Sequence, residues 1–383
     1  MKTGSLRAWA LLAGATLAVA AIAAEPAAQS KATPFKLGTF RVDGRDFLGL
    51  VLRDTVVVEI DAANAQYERT HPAAPKLRFP AAMQELIARY EADVGPRLRV
   101  LASENAAVHS APYLRAVSAL KVLPPVRPGV ILNAGANYSE HAAGIVAQGA
   151  RAATQAGAAP APAGPPGGPP RTASTSMTGI WERAAGDPRA DNPYLFLKSP
   201  NVVVGAHDDV VIPRGRTQID WECEFTVVVG KPARYVSTAA AKDYVFGYSI
   251  EFDVSDRGGR GDRKMGGGPD WLVQKNHDTF GPIGPYIVPK EFVPDPMNTR
   301  HYFTLNGEIK QDSNTSRMDY NIWEMLSYAS SIMTLHPGDL IALGSPAGTN
   351  IERENPRWMR AGDVGVCVIE GIGEQRHNIV AQP

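Results

Sequence analysis

Hydrophobic positions in the first third of the chain follow two different periods. Between residues 35 and 62, apolar residues form short runs separated by turn signals such as Asp43-Gly44, which predicts a small β-meander. Between residues 79 and 104, apolar residues recur at helical spacing, most clearly from Met83 to Tyr90. The two patterns together predict a small N-terminal domain at residues 35–125.

The C-terminal half is dense in strand signals. From residue 194 to about residue 380, β-branched and aromatic runs recur with Gly or Pro between most of them. The runs are Val202–Val204, Val210–Ile212, Phe225–Val229, Tyr244–Ile250, Ile341–Leu343 and Val364–Ile369. Helical spacing is sparse here, and Ile322–Met333 is its best example. The pattern predicts an α+β, mostly β, domain at residues 126–383.

A Pro/Gly/Ala-rich stretch interrupts this domain between about residues 144 and 192. It includes Pro165-Pro166 and Pro169-Pro170 among many Ala and Gly residues. Such a composition cannot bury enough apolar surface to offset the entropy of ordering, so we expect a disordered insertion. The stretch fits a spacer better than a proline-rich ligand, which needs spaced P-x-x-P contacts with flanking charge.

The first residues are typical of a secretory signal peptide. Lys2 and Arg7 precede an apolar stretch from Ala8 to Ala21, and Ala21-Ile22-Ala23 matches an A-x-A cleavage pattern. The run is Ala-rich and short for a membrane span. We therefore expect residues 1–23 to be a signal peptide and residues 24–34 a flexible leader. The mature protein is expected to be exported, in a bacterial periplasm, with no membrane association after cleavage.

Charge and cysteine content exclude several classes of partner and chemistry. The 39 Lys and Arg residues balance 39 Asp and Glu residues, so there is no electrostatic reason to expect a nucleic acid partner. Cys223 and Cys367 are the only cysteines. An oxidising compartment would permit a disulfide, but the sequence leaves their pairing open. The absence of a C-x-x-C motif argues against zinc ribbons and thioredoxin-like redox chemistry.

Acidic residues at alternating positions mark a candidate metal site. Glu222 and Glu224 flank Cys223 in a strand-like run, so both carboxylates point to the same face. If the run that ends near Asp253 pairs with this strand, Asp253 completes a three-carboxylate face. Three oxygen ligands without thiols favour a hard cation, which could be Mg²⁺, Mn²⁺ or Ca²⁺. A solvated acidic strand face is the alternative interpretation.

Three further residues are candidates for substrate contact or proton transfer. Arg257 follows the acidic run and could meet an anionic substrate group, although a solvated loop arginine has the same sequence context. Lys275 lies among apolar residues before a Gly/Pro turn and could stabilise an oxyanion or occupy the surface. His141 follows the apolar strand Val130–Leu132 and could carry protons or bond the backbone.

Taken in order, these stretches resemble the fumarylacetoacetate hydrolase family. The similarity covers roughly residues 35 to 380 apart from the Pro/Gly-rich insertion, and the ordered set is more specific than any single motif. The matching motifs are Gly135–His141, Leu195–Pro200, Asp220–Glu224, Val245–Ser255, Lys275–Pro285, Leu305–Gly307, Thr334–Asp339, Gly344–Gly348 and Gly371–Gly373.

The resemblance implies the architecture and cofactor of the family. It implies a rolled β-sheet core like that of the family's C-terminal domain, a small N-terminal β domain and a homodimer. It also implies a Mg²⁺ or Mn²⁺ ion on Glu222, Glu224 and Asp253. In this arrangement the metal would act as a Lewis acid on a small anionic oxo-acid substrate.

The resemblance also implies roles for individual side chains. Lys275 would lie beside the metal and Lys198 near the substrate. His141 would be the acid/base residue on a mobile lid. The Gly344–Gly348 turn would line the site through backbone N–H groups, which makes Ser345 and Gly348 substrate contacts.

One departure from the family pattern keeps the reaction open. Many relatives carry a glutamate three residues after the lid histidine, where it helps to activate water, but this chain has Gly144 there. The leading hypothesis is metal-dependent hydrolysis of a C–C bond in a 2-oxo or 1,3-dicarbonyl acid of the fumarylacetoacetate or acylpyruvate type. The alternatives are isomerisation or decarboxylation of a 2-hydroxy-dienedioate-type acid on the same metal site, and a non-catalytic periplasmic ligand-binding module.

Overall fold

The strands form a five-stranded N-terminal sheet, an eight-stranded and a five-stranded sheet that pack against each other, and a two-stranded ladder. The computed structural model describes residues 32–155, 181, 187, 189, 192–260 and 270–383. Residues 33–383 form one compact unit. This is the α+β, mostly β, architecture that the sequence predicted.

The strand bounds follow the predicted apolar runs closely in the C-terminal half. The strands are β1 (Lys36–Val42), β2 (Arg45–Leu52), β3 (Val56–Glu59), β4 (Leu114–Ala116), β5 (Lys121–Leu123), β6 (Ile131–Ala134), β7 (Leu195–Lys198), β8 (Val203–Gly205), β9 (Val210–Ile212), β10 (Ile219–Asp220), β11 (Cys223–Val229), β12 (Val245–Phe252), β13 (Ser255–Asp256), β14 (Gly281–Ile283), β15 (Val288–Pro289), β16 (Arg300–Leu305), β17 (Glu308–Asn314), β18 (Leu340–Ala342), β19 (Val364–Ile369) and β20 (Gly373–Ala381).

Helices are fewer and mostly short. The α-helices are α1 (Ile60–Thr70), α2 (Met83–Arg89), α3 (Gly95–Asn105), α4 (Ser139–Gln155), α5 (Trp271–Lys275) and α6 (Ile322–Ile332). A π-helical turn, Tyr90–Val94, joins α2 to α3, and single 3₁₀ turns such as Asn350–Glu352 lie in the loops. Asn321 begins α6 with a capping box, in which its side chain accepts N–H groups and Glu324 bonds back to it.

The N-terminal domain is an antiparallel sheet covered by helices. Its strand order is β4-β3-β2-β1-β5, and the apolar faces of α2 and α3 pack on one side of the sheet. The expected β-meander is confirmed at β1–β3, and the helical spacing at residues 79–104 is confirmed by α2 and α3. The same hydrophobic cluster includes Val228, Phe246 and Leu340, so this domain shares its core with the large sheet.

The large sheet has the order β7-β6-β18-β11-β12-β14-β8, with β15 added beside β12. The second sheet, β17-β16-β19-β20-β9, packs against it. The rings of Phe252 on β12 and Phe303 on β16 stack across this interface with centroids 5.2 Å apart. β11 and β12 are fully buried, which explains why their sequences read as continuous apolar runs around the acidic residues.

A disulfide crosses between the two large sheets next to the acidic residues. Cys223 at the start of β11 bonds Cys367 on β19, with Cα atoms 5.5 Å apart, an ordinary separation for a disulfide. The sequence left this pairing open. Because Cys223 lies between Glu222 and Glu224, the covalent link fixes the strand segment that carries both glutamates.

The segment expected to be an insertion is partly ordered. The structure places residues 144–155 in α4, and buries Trp181 in the main hydrophobic cluster, where its indole N–H donates to Ser327. Arg189 forms ion pairs with Asp187 and Glu324. An insertion without regular structure therefore does not begin at Gly144. Most of the remaining predicted insertion lies outside the described residues.

The predicted signal peptide (residues 1–23) and most of the leader (residues 24–34) lie outside the described residues as well. Within the part of the chain that the structure describes, every helix is too short or too polar to serve as a membrane span.

Candidate active site

Three predicted ligands converge because β11 and β12 are antiparallel neighbours. The register pairs Glu224 with Glu251, and the N–H of Asp253 donates to the carbonyl oxygen of Glu222 at 2.9 Å. Glu222, Glu224 and Asp253 can each offer a carboxylate oxygen such that all three oxygens lie within 4.8 Å of one another. All three side chains are buried, so the alternative of a solvated acidic face is wrong.

Two buried lysines form ion pairs with carboxylates of this triad. Lys275 Nζ bonds the carboxylate of Glu222 and lies 2.5 Å from Asp253 Oδ2. Lys198 Nζ lies 2.5 Å from Asp253 Oδ1 and donates to the carbonyl oxygen of Phe280 at 2.5 Å. Lys275 lines the cavity of the site, whereas the described lining of that cavity does not include Lys198. The structure thus places Lys198 beneath the triad.

Arg257 lies at the site but is held by carboxylates. Its guanidinium donates to Asp220 Oδ2 at 3.0 Å and to Glu222 Oε1. The side chain is nearly buried and borders the cavity. The expected contact with an anionic substrate would have to share a guanidinium that two carboxylates already bind.

The floor of the site consists of five buried carboxylates and the three cations that face them, so the carboxylates outnumber the cations. The carboxylates are Asp220, Glu222, Glu224, Glu251 and Asp253. The cations are Lys198, Lys275 and Arg257. When all five carboxylates are ionised, they exceed the three cations by two negative charges, which is the charge of one divalent cation. Carboxylate oxygens are the ligands that Mg²⁺, Mn²⁺ and Ca²⁺ prefer, so the triad fits such an ion.

The pKa shifts identify the carboxylate that lacks a counter-charge. Burial raises the pKa of Glu224 well above its usual range, and the carboxylates of Asp253 and Glu222 raise it further. Burial acts in the same direction on Glu222, but Arg257 and Lys275 outweigh it and hold its pKa well below the usual range. In the absence of a metal ion, Glu224 is therefore the triad member that is most costly to ionise.

A tight turn after β18 brings backbone donors to the triad. Gly344 has φ 93°, and its N–H donates to Glu224 Oε2 at 2.9 Å. A side chain at this position would be strained, because L residues rarely adopt this φ and a Cβ would lie 2.9 Å from Asn137 Cβ. Ser345 borders the cavity, and its Oγ accepts from Gln311 Nε2 at 2.8 Å. The predicted contact Ser345 therefore lies where a ligand can reach it.

His141 lies above the triad on the first turns of α4. Its side chain is buried, and its Nε2 is 3.8 Å from Glu222 Oε1. Asn137 anchors the start of this helix, since its side chain bonds Tyr320 and the carbonyl oxygen of Leu343. His141 thus follows β6 in the chain and lies over the triad, and its role as the acid/base residue stays a prediction.

A carboxylate that the sequence did not reveal holds the histidine. Glu352 Oε1 lies 2.5 Å from His141 Nδ1, so Nδ1–H donates to the carboxylate and leaves the lone pair of Nε2 facing the triad. A Cβ on Gly144 would lie only 2.6 Å from Glu352 Cγ. Glu352 therefore occupies the space into which a side chain at position 144 would project, and supplies a carboxylate from a distant part of the chain.

The loop that carries Glu352 is fixed by several hydrogen bonds. The N–H of Gly348 donates to Glu352 Oε2 at 3.0 Å, and the hydroxyl of Thr349 donates to Oε1 at 2.6 Å. Asp220 accepts from the N–H groups of Asn350 and Ile351 at 2.8 and 3.1 Å. Gly348, predicted as a substrate contact, thus has its N–H directed to Glu352.

The same bonds keep Glu352 ionised. Burial alone would raise its pKa, but the hydrogen bond from His141 and those from Gly348 and Thr349 outweigh burial and lower it. A negatively charged Glu352 accepts from His141 Nδ1 and fixes the orientation of the imidazole over the triad.

These elements enclose a cavity of about 280 Å³. Glu222, Glu224 and Lys275 of the floor border it, α4 contributes His141 and Ile145, and three aromatic residues form a further part of the lining. Its lining includes Ala134, Gly135, Ala136, His141, Ile145, Tyr194, Phe196, Glu222, Glu224, Arg257, Trp271, Lys275 and Ser345.

The fold and the acidic triad define an enzyme of the fumarylacetoacetate hydrolase superfamily. The chain belongs to the fumarylacetoacetate hydrolase family, because the model of the fumarylacetoacetate hydrolase C-terminal domain matches residues 172–380, more than half of its length. This membership confirms the family resemblance that the sequence motifs indicated.

Relatives within the family differ in reaction. The chain is 37 % identical over 187 residues to the mitochondrial oxaloacetate tautomerase FAHD2A of Bos taurus, which covers 49 % of this chain and 58 % of that protein. The chain thus spans less than two thirds of the length of that relative. A maleylpyruvate hydrolase from Sphingobium sp. SYK-6, solved with a manganese(II) ion and pyruvate, is 26 % identical with a TM-score of 0.61, covering 91 % of this chain and 100 % of that one.

Proposed function

We propose that the protein is a metal-dependent hydrolase that cleaves a C–C bond in a 2-oxo or 1,3-dicarbonyl acid of the acylpyruvate type. The observation that carries the proposal is the bond between His141 Nδ1 and Glu352. It provides the histidine–carboxylate pair that hydrolysis needs to activate water. It also removes the reason for a non-catalytic binding module, which rested on the glycine at position 144.

A divalent ion, Mg²⁺ or else Mn²⁺ or Ca²⁺, would be held by Glu222, Glu224 and Asp253. When bound, it would supply Lewis-acid stabilisation of negative charge on the 2-oxo group of the substrate. The proposal is supported by the charge excess of the floor, and by the manganese ion and pyruvate in the related maleylpyruvate hydrolase.

Side chains of this protein carry out proton transfer and positioning in the proposed reaction. His141 Nε2 takes a proton from water, and the resulting hydroxide adds to the C4 carbonyl of the acylpyruvate. The C3–C4 bond then breaks, its electron pair forms the enolate of pyruvate, and the acyl group leaves as a carboxylic acid. His141 returns its proton to C3. Glu352 acts as a positioning residue, because it fixes the imidazole tautomer and stabilises the imidazolium.

Lys275 contributes charge at the floor. Burial disfavours its ammonium, but the carboxylates of Asp253 and Glu222 outweigh burial and raise the pKa of Lys275, which therefore stays protonated. A fixed positive charge beside the triad stabilises the enolate oxygen as it develops.

The experiment is a metal-dependent assay with acetylpyruvate. We expect release of pyruvate and acetate in equal amounts, with activity lost on chelation and restored by Mg²⁺ or Mn²⁺. Substitution Glu352→Gln should lower kcat by about 10²-fold or more, because it removes the negative charge that faces and orients His141, while metal binding measured by calorimetry stays intact. Glu354→Gln, the same change on an exposed residue of this loop, is the matched control. Equal kcat values for the two variants would contradict the assigned role of Glu352.

Tautomerisation is the second candidate, because the bovine relative is named an oxaloacetate tautomerase. A tautomerase moves a proton between carbon and oxygen without consuming water. Loss of the enol absorbance of oxaloacetate without pyruvate release, combined with no cleavage of acetylpyruvate, would favour this reaction over hydrolysis. Isomerisation or decarboxylation of a dienedioate-type acid would use the same metal site and the same histidine.

We also propose that the protein is exported. Support comes from the signal-peptide pattern of residues 1–23 and from the Cys223–Cys367 disulfide, since disulfides persist in oxidising compartments. N-terminal sequencing of the protein from a periplasmic fraction should begin near residue 24, and an intact N-terminus in the cytoplasmic fraction would overturn the proposal. The homodimer implied by the family resemblance stays a prediction that light scattering would test.

A further inference from the structure

One side of the cavity is an aromatic wall, defined here as Tyr194, Phe196 and Trp271. The rings of Phe196 and Trp271 stack with centroids 4.5 Å apart and planes 16° apart, and Tyr194 lies 6.0 Å from Trp271. The wall adjoins the charged floor, because Lys275 Nζ lies 5.3 Å from the centroid of Phe196. An apolar surface therefore begins directly beside the triad.

Hydrogen bonds fix the wall as a unit. Asn276 accepts the N–H of Ser199 at 2.6 Å and donates to the carbonyl oxygen of Trp271 at 3.1 Å, which ties α5 to the end of β7. Tyr194 lies against Gly135, where a Cβ would come within 2.6 Å of its ring, and its carbonyl oxygen accepts the N–H of Gly135 at 2.9 Å. These bonds hold α5 against the end of β7 and residue 194 against the end of β6.

Helix α4 adds a second apolar position to the lining of the cavity. Ile145 lies one helical turn after His141 on α4 and borders the cavity. Among the described residues of the lining, the cationic side chains are Lys275 and Arg257, and both are bonded to carboxylates of the floor. These residues offer a second substrate carboxylate little attraction, while an apolar group gains contact on two sides.

Resting on the proposed function, we propose that the substrate is an acylpyruvate whose acyl group carries an apolar, planar substituent, which lies between the aromatic wall and Ile145. The 2-oxo acid end is at the triad, and the scissile carbonyl lies below His141. Stacking on the rings of Trp271 and Phe196 suits a phenyl or conjugated group. A dicarboxylate such as oxaloacetate would place a charge against this wall.

Inert analogues with matched oxo-acid ends test this assignment apart from turnover. Oxamate has no substituent, N-benzyloxamate adds an aromatic group, and N-oxalylglycine adds a carboxylate of similar reach. Calorimetry on the Mn²⁺-loaded protein should give N-benzyloxamate about tenfold tighter binding than oxamate, in line with burial of one aromatic ring. N-oxalylglycine should bind no tighter than oxamate.

Variants of the aromatic wall test whether its residues cause the tighter binding of N-benzyloxamate. The affinity ratio of N-benzyloxamate to oxamate should fall to about one in Trp271→Ala and remain near tenfold in Trp271→Phe, which keeps a ring for stacking. Tyr194→Ala, at a half-exposed position that is easily tolerated, should lower the ratio by a smaller factor.

The outcomes separate this inference from the proposed function. Metal-dependent oxamate binding without a gain for N-benzyloxamate, or a preference for N-oxalylglycine, would overturn the substrate assignment and leave the proposed function standing. Failure of oxamate to bind in the presence of Mn²⁺ would overturn both. A gain that survives Trp271→Ala and Tyr194→Ala would also overturn the assignment of the wall.

Discussion

The floor and the sides of the cavity are built by different means. The floor consists of carboxylates on and beside two adjacent buried strands, where the backbone register brings Glu222, Glu224 and Asp253 together and leaves Glu224 without a counter-charge. The sides consist of α4, where His141 contacts Glu352, and of three aromatic rings on β7, its flanking loop and α5. The floor can therefore change little without loss of the fold, whereas the sides can change reaction and substrate on the same floor.

The largest expected effect is on the floor. Glu224→Gln should abolish tight metal binding and lower kcat/KM by about 10³-fold or more, because it removes a ligand and a charge. On the metal-free protein, the same substitution should increase thermal stability. The pKa of Glu224 is raised by burial and by neighbouring carboxylates, so its charge destabilises the metal-free fold above the unfolded pKa, and the neutral amide should raise Tm. Thermal unfolding with and without Mn²⁺ measures both effects.

The disulfide gives the next largest effect. Reduction of the Cys223–Cys367 bond should cost about 2–4 kcal/mol of unfolding free energy, because the link closes a loop across 144 residues. Chemical denaturation with and without a thiol reductant measures the cost, and a Cys223→Ser/Cys367→Ser variant controls for other actions of the reductant. Unchanged stability would mean that the sheets alone fix the strand that carries the glutamates.

Gly144→Ala tests the contact between α4 and Glu352 separately from metal binding at the floor. Alanine favours a helix over glycine by about 1 kcal/mol, so the change should stabilise α4. Its Cβ would nevertheless lie 2.6 Å from Glu352 Cγ and displace the carboxylate from His141. We expect kcat to fall about tenfold with metal affinity unchanged. Gly149→Ala is the matched control, since a Cβ there meets nothing within 4 Å, and it should leave kcat intact.

The smallest effect concerns His301, whose Nε2 lies 3.2 Å from the hydroxyl of Tyr138 before α4. Burial lowers the pKa of His301 to about 4, so between the unfolded value near 6.5 and about 4 only the unfolded chain binds this proton. Stability should therefore fall by up to about 1.4 kcal/mol per pH unit as pH decreases through that window. His301→Gln should lessen the slope, measured by denaturation at pH 7, 6 and 5. An identical slope would place the titration elsewhere.

The sequence could predict the floor better than the sides for a physical reason. Strand alternation places Glu222 and Glu224 on one face, and an apolar run after them indicates burial, so local pattern suffices. Glu352 lies 211 positions from His141, in a loop with no periodicity, and its role depends on space left by Gly144. The aromatic wall likewise joins residues on both sides of the triad strands, which no spacing rule connects.

The central claim is that one divalent ion binds among Glu222, Glu224 and Asp253. The most direct measurement is a crystal structure of the protein soaked with Mn²⁺ and oxamate, with anomalous diffraction to locate the metal. We predict a single strong peak about 2.2 Å from one oxygen of each carboxylate, with His141 Nε2 facing the ligand. A peak elsewhere, or no peak while Glu222 and Asp253 keep their bonds to Lys275, Lys198 and Arg257, would contradict the account.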